Sequence, residues 1–338
     1  MLTAMKAIPL ASAFAVAACT VALLAGCAVT PSKPSEFALV QYPDAGFGGL
    51  YAQTAGATKS IDMEMYELSD RTEESDLIAA AKRGVVVRIL LDSAYEEKQY
   101  NTSAFDRLEK GGVQARWADP GTIFHTKLTV FDGATADISS ANLTSQYYAT
   151  TRDATIVDTY PVHVSAIEKT FEGDWNGDSP GSDTVGAPGL VWSPNAESTM
   201  VGRIDNAGTS IDFTSEELSD GYVVEALVEA ARRGVRCRIA MVDSPNWTKA
   251  FSEVSAAGCK VHVVANTPTG FYIHEKLLLT DAGTTDAAVM IGSQNASFSS
   301  LVQNRELSVV LTAQQAPDVV AAATATFQND FSTAHAWR

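Results

Sequence analysis

Two strings in the sequence carry the same reactive side chains in the same order. His125-Thr126-Lys127 is followed after four residues by Asp132, and His274-Glu275-Lys276 after four by Asp281. Downstream stand Ser139-Ser140-Ala141-Asn142 and Gly292-Ser293-Gln294-Asn295; eleven residues past each Asn come Asp153 and Glu306. These types suit attack on a phosphodiester, which needs a nucleophile, a proton for the leaving oxygen and donors around the phosphoryl oxygens. Histidine can be the nucleophile or the acid near neutral pH. Lys127 and Lys276 supply positive charge, and Ser140, Asn142, Ser293 and Asn295 supply neutral hydrogen bonds. A carboxylate on the second ring nitrogen fixes the tautomer, a role open to Asp153 and Glu306, with Asp153 expected to reach His125.

Strands would position this set. Residues two apart on a strand project from one face, so His125 points with Lys127 and His274 with Lys276. Asp132 and Asp281 are an odd step from both and are expected to be structural. The remaining histidines, His163, His262 and His335, have no such surroundings. No clustered Cys, His and carboxylates suggest a metal centre, so neither a metal nor another cofactor is expected. Two half-sites facing each other would make one complete site.

An independent repeat supports that pairing. Lys59-Ser60-Ile61-Asp62 through Tyr66-Glu67-Leu68-Ser69-Asp70 matches Thr209-Ser210-Ile211-Asp212 through Glu216-Glu217-Leu218-Ser219-Asp220 at an offset of 150 residues. Lys82-Arg83-Gly84-Val85 matches Arg232-Arg233-Gly234-Val235 at the same offset, and Phe171-Glu172-Gly173-Asp174-Trp175 matches Phe327-Gln328-Asn329-Asp330-Phe331. A unit this long means two related domains and not a solenoid. Within each unit the order reads strand, helix, strand, helix, strand. Ile61, Met63 and Met65 alternate as in a half-buried strand, and Val85 to Leu91 reads as a buried one. The helix through Val223, Val224, Leu227, Val228 and Ala231 closes on Arg232-Arg233-Gly234. Further strands are expected at 127–131, 153–157, 276–280, 287–291 and 306–311. The fold class is therefore α/β, two tandem sandwich domains, each with a mixed sheet flanked by helices. The expected boundaries are 37–175 and 190–338, with a Gly-, Pro-, Ser- and Asp-rich linker at 176–189.

Ahead of them, residues 1–26 read as an export signal: Lys6, then an uncharged Ala-rich run. Leu24-Ala25-Gly26-Cys27 resembles the lipobox of bacterial lipoproteins, which implies lipidation of Cys27. Residues 27–36 would be a tether, leaving the body exported and anchored to the outer face of the cytoplasmic membrane, or alternatively secreted. The formal net charge of −16 becomes −17 once Lys6 leaves with the signal, a surface that repels nucleic acid overall. Cys237 and Cys259 align on Val87 and Val113 of the first unit, on consecutive strands. Two thiols so placed in an oxidising compartment are expected to form a disulfide.

The doubled string resembles the HKD motifs of the phospholipase D superfamily, and the duplication extends that resemblance over nearly all of the mature chain. The resemblance implies a phospholipase D-type phosphodiester hydrolase, acting without metal on phospholipid head groups, with His125 as nucleophile forming a phosphohistidine and His274 as the acid that then activates water. Both half-sites in one chain imply a monomer. Ser139 and Asp153 depart from the usual Gly and Glu. Tyrosyl-DNA phosphodiesterases and polyphosphate kinases resemble the superfamily without the motif Asp, which is present here. An exported endonuclease of the same superfamily and a non-catalytic lipid-binding surface protein are the alternatives.

Overall fold

A computed structural model describes residues 35–94, 97–178 and 184–338. The export signal, Cys27 and the tether as far as Pro34 lie outside the described residues, as does the middle of the 176–189 segment. Residues 35–338 form one compact unit. Its first half runs β1 (Phe37–Tyr42), α1 (Gly48–Gly56), β2 (Ser60–Met65), α2 (Arg71–Lys82), β3 (Val86–Leu91), α3 (Glu97–Lys110), β4 (Gln114–Trp117), β5 (Lys127–Phe131), β6 (Thr135–Ser139), β7 (Thr151–Asp158) and α4 (Pro161–Asn176). The second runs β8 (Leu190–Ser193), α5 (Glu197–Asp205), β9 (Ser210–Thr214), α6 (Gly221–Arg232), β10 (Arg236–Val242), α7 (Thr248–Ala257), β11 (Lys260–Val264), β12 (Tyr272–Ile273), β13 (Lys276–Thr280), β14 (Ala288–Gly292), β15 (Glu306–Thr312), α8 (Pro317–Thr333) and β16 (His335–Ala336).

Two mixed sheets result, ordered β1-β7-β6-β5-β2-β3-β4 and β16-β11-β10-β9-β13-β14-β15-β8. In both, the strands linked through helices pair in parallel (β2 with β3 and β3 with β4, β9 with β10 and β10 with β11), as strand–helix–strand crossovers do. The repeated Leu-Ser-Asp explains where those helices begin: Asp70 accepts from the Thr72 and Glu73 amides, and Asp220 from the Val223 amide. Gly84 and Gly234, at φ 95° and 88°, end them in the left-handed region where a side chain would be strained.

The inner faces of both sheets share one core with α4 and α8, in which Leu128, Ile138 and Ile156 of the first half meet Leu277, Ile291, Leu307 and Phe327 of the second. Helices α1–α3 and α5–α7 cover the outer faces. Strand β2 departs from the half-buried expectation. Its alternate residues Asp62 and Glu64 are also buried: Arg88 brings Asp62 inside by forking onto it at 2.6 and 2.8 Å, while burial and Asp174 push the Glu64 pKa well above the ordinary carboxylate range and favour its neutral acid. Arg238 repeats that fork on Asp212. Among the described residues no helix is long and apolar enough to cross a membrane.

Parallel pairing of β10 with β11 sets Arg238 opposite Lys260, which puts Cys237 beside Cys259. The two are joined in the structure with Cα atoms 4.6 Å apart. Non-reducing digestion of the native protein should yield one linked peptide pair, and Cys237→Ser should cost about 3 kcal/mol, the closure entropy of a loop this short. Two freely alkylated thiols would contradict the bond.

Candidate active site

His125 and His274 line one cavity of about 570 Å³. Each precedes a strand that begins at its Lys, β5 or β13, so the imidazole stands at the sheet edge while the Lys is buried. What fixes each histidine comes from the opposite half. His125 N–H donates to the Arg305 carbonyl (2.9 Å), and His274 N–H to the Arg152 carbonyl (3.0 Å). On the rings, His125 Nδ1 donates to Glu306 Oε2 and His274 Nδ1 to Asp153 Oδ1, both at 2.8 Å. This corrects the expectation that Asp153 supports His125. Strands β7 and β15 start where the halves meet, so the carboxylate at the head of each reaches the partner imidazole across the interface.

Buried arginines hold that arrangement. Arg305, fully buried, contacts Asp174 of α4 at 2.6–2.8 Å and Thr184 at 2.7 Å. Arg152 forks onto Asp330 of α8 at 2.7 and 3.1 Å. The residue preceding each catalytic carboxylate is thus pinned to a helix of the other half. Removing one partner of such a buried pair typically costs about 3–5 kcal/mol, because the other charge is left unpaired.

The serines stand elsewhere than expected. Ser140 and Ser293 are fully buried and do not line the cavity. Ser140 Oγ donates to Asp153 Oδ1 (2.6 Å), and Ser293 Oγ bonds the Leu307 backbone. Glu306 instead takes its neutral donors from Ser300 (2.6 Å) and Asn304 (3.0 Å). Asn142 and Asn295 do line the cavity. Lys127 and Lys276 donate to the carbonyls of their own His, at 2.9 and 2.5 Å. Asp132 and Asp281, both at φ 55°, accept from backbone amides at 58–60 and 208–210, closing the turn into β2 and β9, away from the site. Gly292 is required, since a Cβ there would lie 2.3 Å from the Leu307 carbonyl. At the matching place Ser139 fits by accepting from the Ala141 amide (2.9 Å) and Thr155 Oγ1 (2.8 Å). His163 pairs with Asp158 far from this chemistry.

One difference between the halves bears directly on the imidazoles. Where the first has Tyr66, whose ring meets His125 edge-on with centroids 4.7 Å apart, the second has Glu216. Glu216 Oε2 lies 3.3 Å from His274 Nε2 and 3.4 Å from Lys276 Nζ, and Oε1 accepts from the Tyr272 hydroxyl at 2.9 Å. His274 therefore has a carboxylate on each ring nitrogen, an arrangement only the imidazolium satisfies. Burial and Lys276 disfavour its charge, but Asp153 and Glu216 outweigh them and raise its pKa. Burial lowers the His125 pKa to about 4 and the Lys127 pKa to about 7, each against the pull of Glu306. Burial thus favours the neutral form of His125, and the two carboxylates favour the charged form of His274. Among the described residues no group of three or more His, Cys, Asp or Glu is arranged to hold a metal ion.

The family profile described as "Cardiolipin synthase, PLD-like domain" matches residues 50–175 and 200–331, once in each half. The chain belongs to this phospholipase D-like family. A "Mitochondrial cardiolipin hydrolase" of Xenopus laevis is 27% identical over 134 residues, covering 40% of this chain and 63% of that protein. A second, from Xenopus tropicalis, is 26% identical, covering 42% and 66%. The match thus spans less than two thirds of these relatives. Among solved structures, phosphatidylserine synthase from Haemophilus influenzae superposes at TM-score 0.66 with 11% identity, over 89% of this chain and 87% of that one. Polyphosphate kinase from Porphyromonas gingivalis does so at 0.62 with 16% identity, over 81% and 47%. These likenesses concern the fold.

Sequence reasoning missed Glu216, Tyr272, Ser300, Asn304 and the two arginines. Arg152-Asp153 and Arg305-Glu306 were a visible matched pair, and Tyr66 against Glu216 a visible break in the repeat. Cross-half bracing predicts that Glu306→Gln moves the titration and ring resonances of His125 and leaves those of His274 in place. A perturbation confined to His274 would contradict it.

Proposed function

We propose that the chain is an exported phospholipase D-type phosphodiesterase that removes phospholipid head groups through a phosphohistidine on His125. The observation that carries this is the unequal state of the two imidazoles: His125 has a carboxylate on Nδ1 only, His274 one on each nitrogen. Neutral His125 can attack phosphorus through Nε2. The bond to the head-group oxygen then breaks, and that oxygen takes the proton of His274. In the second step, water attacks the phosphohistidine, His274 takes the water's proton, and the P–N bond breaks. Lys127 and Lys276, buried against the carbonyls of their own His, lend positive charge to the phosphoryl oxygens from behind the cavity lining, and no step needs a metal.

Two features favour a lipid over a nucleic acid. Beside His274 a second cavity of about 350 Å³ presents Tyr42, Phe47, Tyr147 and Tyr148, an apolar wall suited to a lipid. Neither cavity has a Lys or Arg among its lining residues, which include Glu67, Glu216 and Glu217. A nuclease would want a cationic funnel there. The frog relatives, named for a phospholipid, support the same substrate class. Monomeric action follows from both halves being in one chain, and lipid anchoring through Cys27 would bring the site to its substrate. Cys27→Ser should then block lipid attachment, leaving either an uncleaved precursor or release by another peptidase.

The test is turnover of phosphatidylcholine against plasmid DNA, both in chelator: lipid cleavage alone is expected, and cleavage of DNA alone would overturn the reading. His125→Ala and His274→Ala should each abolish turnover, with the double variant no worse than the poorer single. Lys127→Ala should lose about a hundredfold or more. The kcat/KM profile should rise through about pH 4 as His125 loses its proton. On the alkaline side it should begin to fall near pH 7 as Lys127 loses its charge, and fall further above the ordinary imidazole range as His274 loses its own. Removing a negative neighbour lowers the pKa of His274, so Glu216→Gln should move that alkaline limb to lower pH. An unmoved limb would contradict the assignment.

A further inference from the structure

Glu216 stands where a substrate's phosphoryl oxygen belongs. Its Oε2 touches both His274 Nε2 and Lys276 Nζ, two of the groups that must meet phosphate, at 3.3 and 3.4 Å. It is also tethered at both ends. The Tyr272 hydroxyl donates to Oε1 at 2.9 Å, and the Glu216 amide donates to Asn295 Oδ1 at 3.1 Å. An entering phosphate can therefore take over the contacts of Oε2 but cannot send the carboxylate far. Next to it Glu67 lines the same cavity, within hydrogen-bonding reach of Asn142 Nδ2 at 3.5 Å. The anion site of this chain is thus built with negative charge inside it.

A phosphodiester carries one negative charge. Its hydrolysis product, a phosphomonoester, carries nearly two at pH 7, since the second ionisation of such groups lies near pH 6. Water's oxygen becomes a third non-bridging oxygen, and the extra proton goes to solvent. Repulsion from a fixed carboxylate scales with ligand charge. We propose that Glu216 makes the site charge-selective, admitting the singly charged diester and expelling the doubly charged monoester that the reaction produces. The first half has neutral Tyr66 at this position, so the carboxylate in contact with His274 Nε2 and Lys276 Nζ has no counterpart there. The inference rests on the diester hydrolysis proposed above.

Two measurements on the full chain test it, both slightly above neutral pH. In the first, calorimetry compares dimethyl phosphate with inorganic phosphate as ligands of the wild type. A site of Lys and imidazolium alone favours the dianion; with Glu216 in place, dimethyl phosphate should bind more tightly. Tighter binding of inorganic phosphate by the wild type would overturn the proposal. In the second, hydrolysis of bis(p-nitrophenyl) phosphate gives KM, and inhibition by inorganic phosphate gives Ki, for wild type and Glu216→Gln. Ki should fall by about 10- to 100-fold in the variant, with a smaller fall in KM. Equal shifts in Ki and KM, or an unchanged Ki, would overturn it. Absence of diester turnover in the wild type would sink the hydrolytic reading instead, and the calorimetric comparison would still decide the role of Glu216.

Discussion

Glu306 and His125 are 181 residues apart in the chain, and Asp153 and His274 are 121 apart, yet each pair shares a hydrogen bond of 2.8 Å. Neither histidine has its orienting carboxylate within its own half. The two halves must therefore be docked before either imidazole is usable, and the docking is secured by the residue next door: Arg305 on Asp174, Arg152 on Asp330. The same two arginines give their carbonyls to the His125 and His274 amides. Backbone, side chain and catalytic carboxylate thus move as one piece across the interface. A shared apolar core through Leu128, Ile156, Leu277 and Phe327 supplies the burial that keeps these ion pairs dry and rigid.

Duplication gives two equivalent half-sites, but phosphoryl transfer through a covalent intermediate needs two unlike histidines. A single sequence difference supplies the distinction. Tyr66 gives His125 an aromatic edge and leaves its Nε2 without a carboxylate, whereas Glu216 puts a second carboxylate on His274. Burial disfavours the charge on both: against Glu306 alone it prevails and favours neutral His125, and against two anions it is overcome, so that the pKa of His274 rises. On the proposed mechanism the same carboxylate both prepares the acid and occupies part of the anion site, which would tie acid strength and ligand charge selection together in one side chain.

Much of this was legible in the residues. The repeat located both strings, and the Leu-Ser-Asp copies marked helix starts that Asp70 and Asp220 cap. The odd spacing of Asp132 and Asp281 pointed them away from the site, where they close turns. What spacing could not convey was partnership across the interface, because a hydrogen bond between distant residues leaves no periodicity. Hence Asp153 was matched to the wrong histidine. Ser140 and Ser293 read as substrate donors but are consumed by a carboxylate and a backbone. Asp62 reads as the wet face of a strand because its neutralising arginine, Arg88, lies on another strand, β3, and Glu64 does so although burial and Asp174 raise its pKa well above the ordinary carboxylate range.

The central claim is that the halves are chemically unequal, with His125 the residue that bonds to phosphorus. Quenching the enzyme during turnover of a slow diester and mapping the acid-labile phosphoryl group by mass spectrometry tests this most directly. The account predicts an adduct on the peptide holding His125 and none on that holding His274. An adduct on His274, or equal labelling of both, would contradict it.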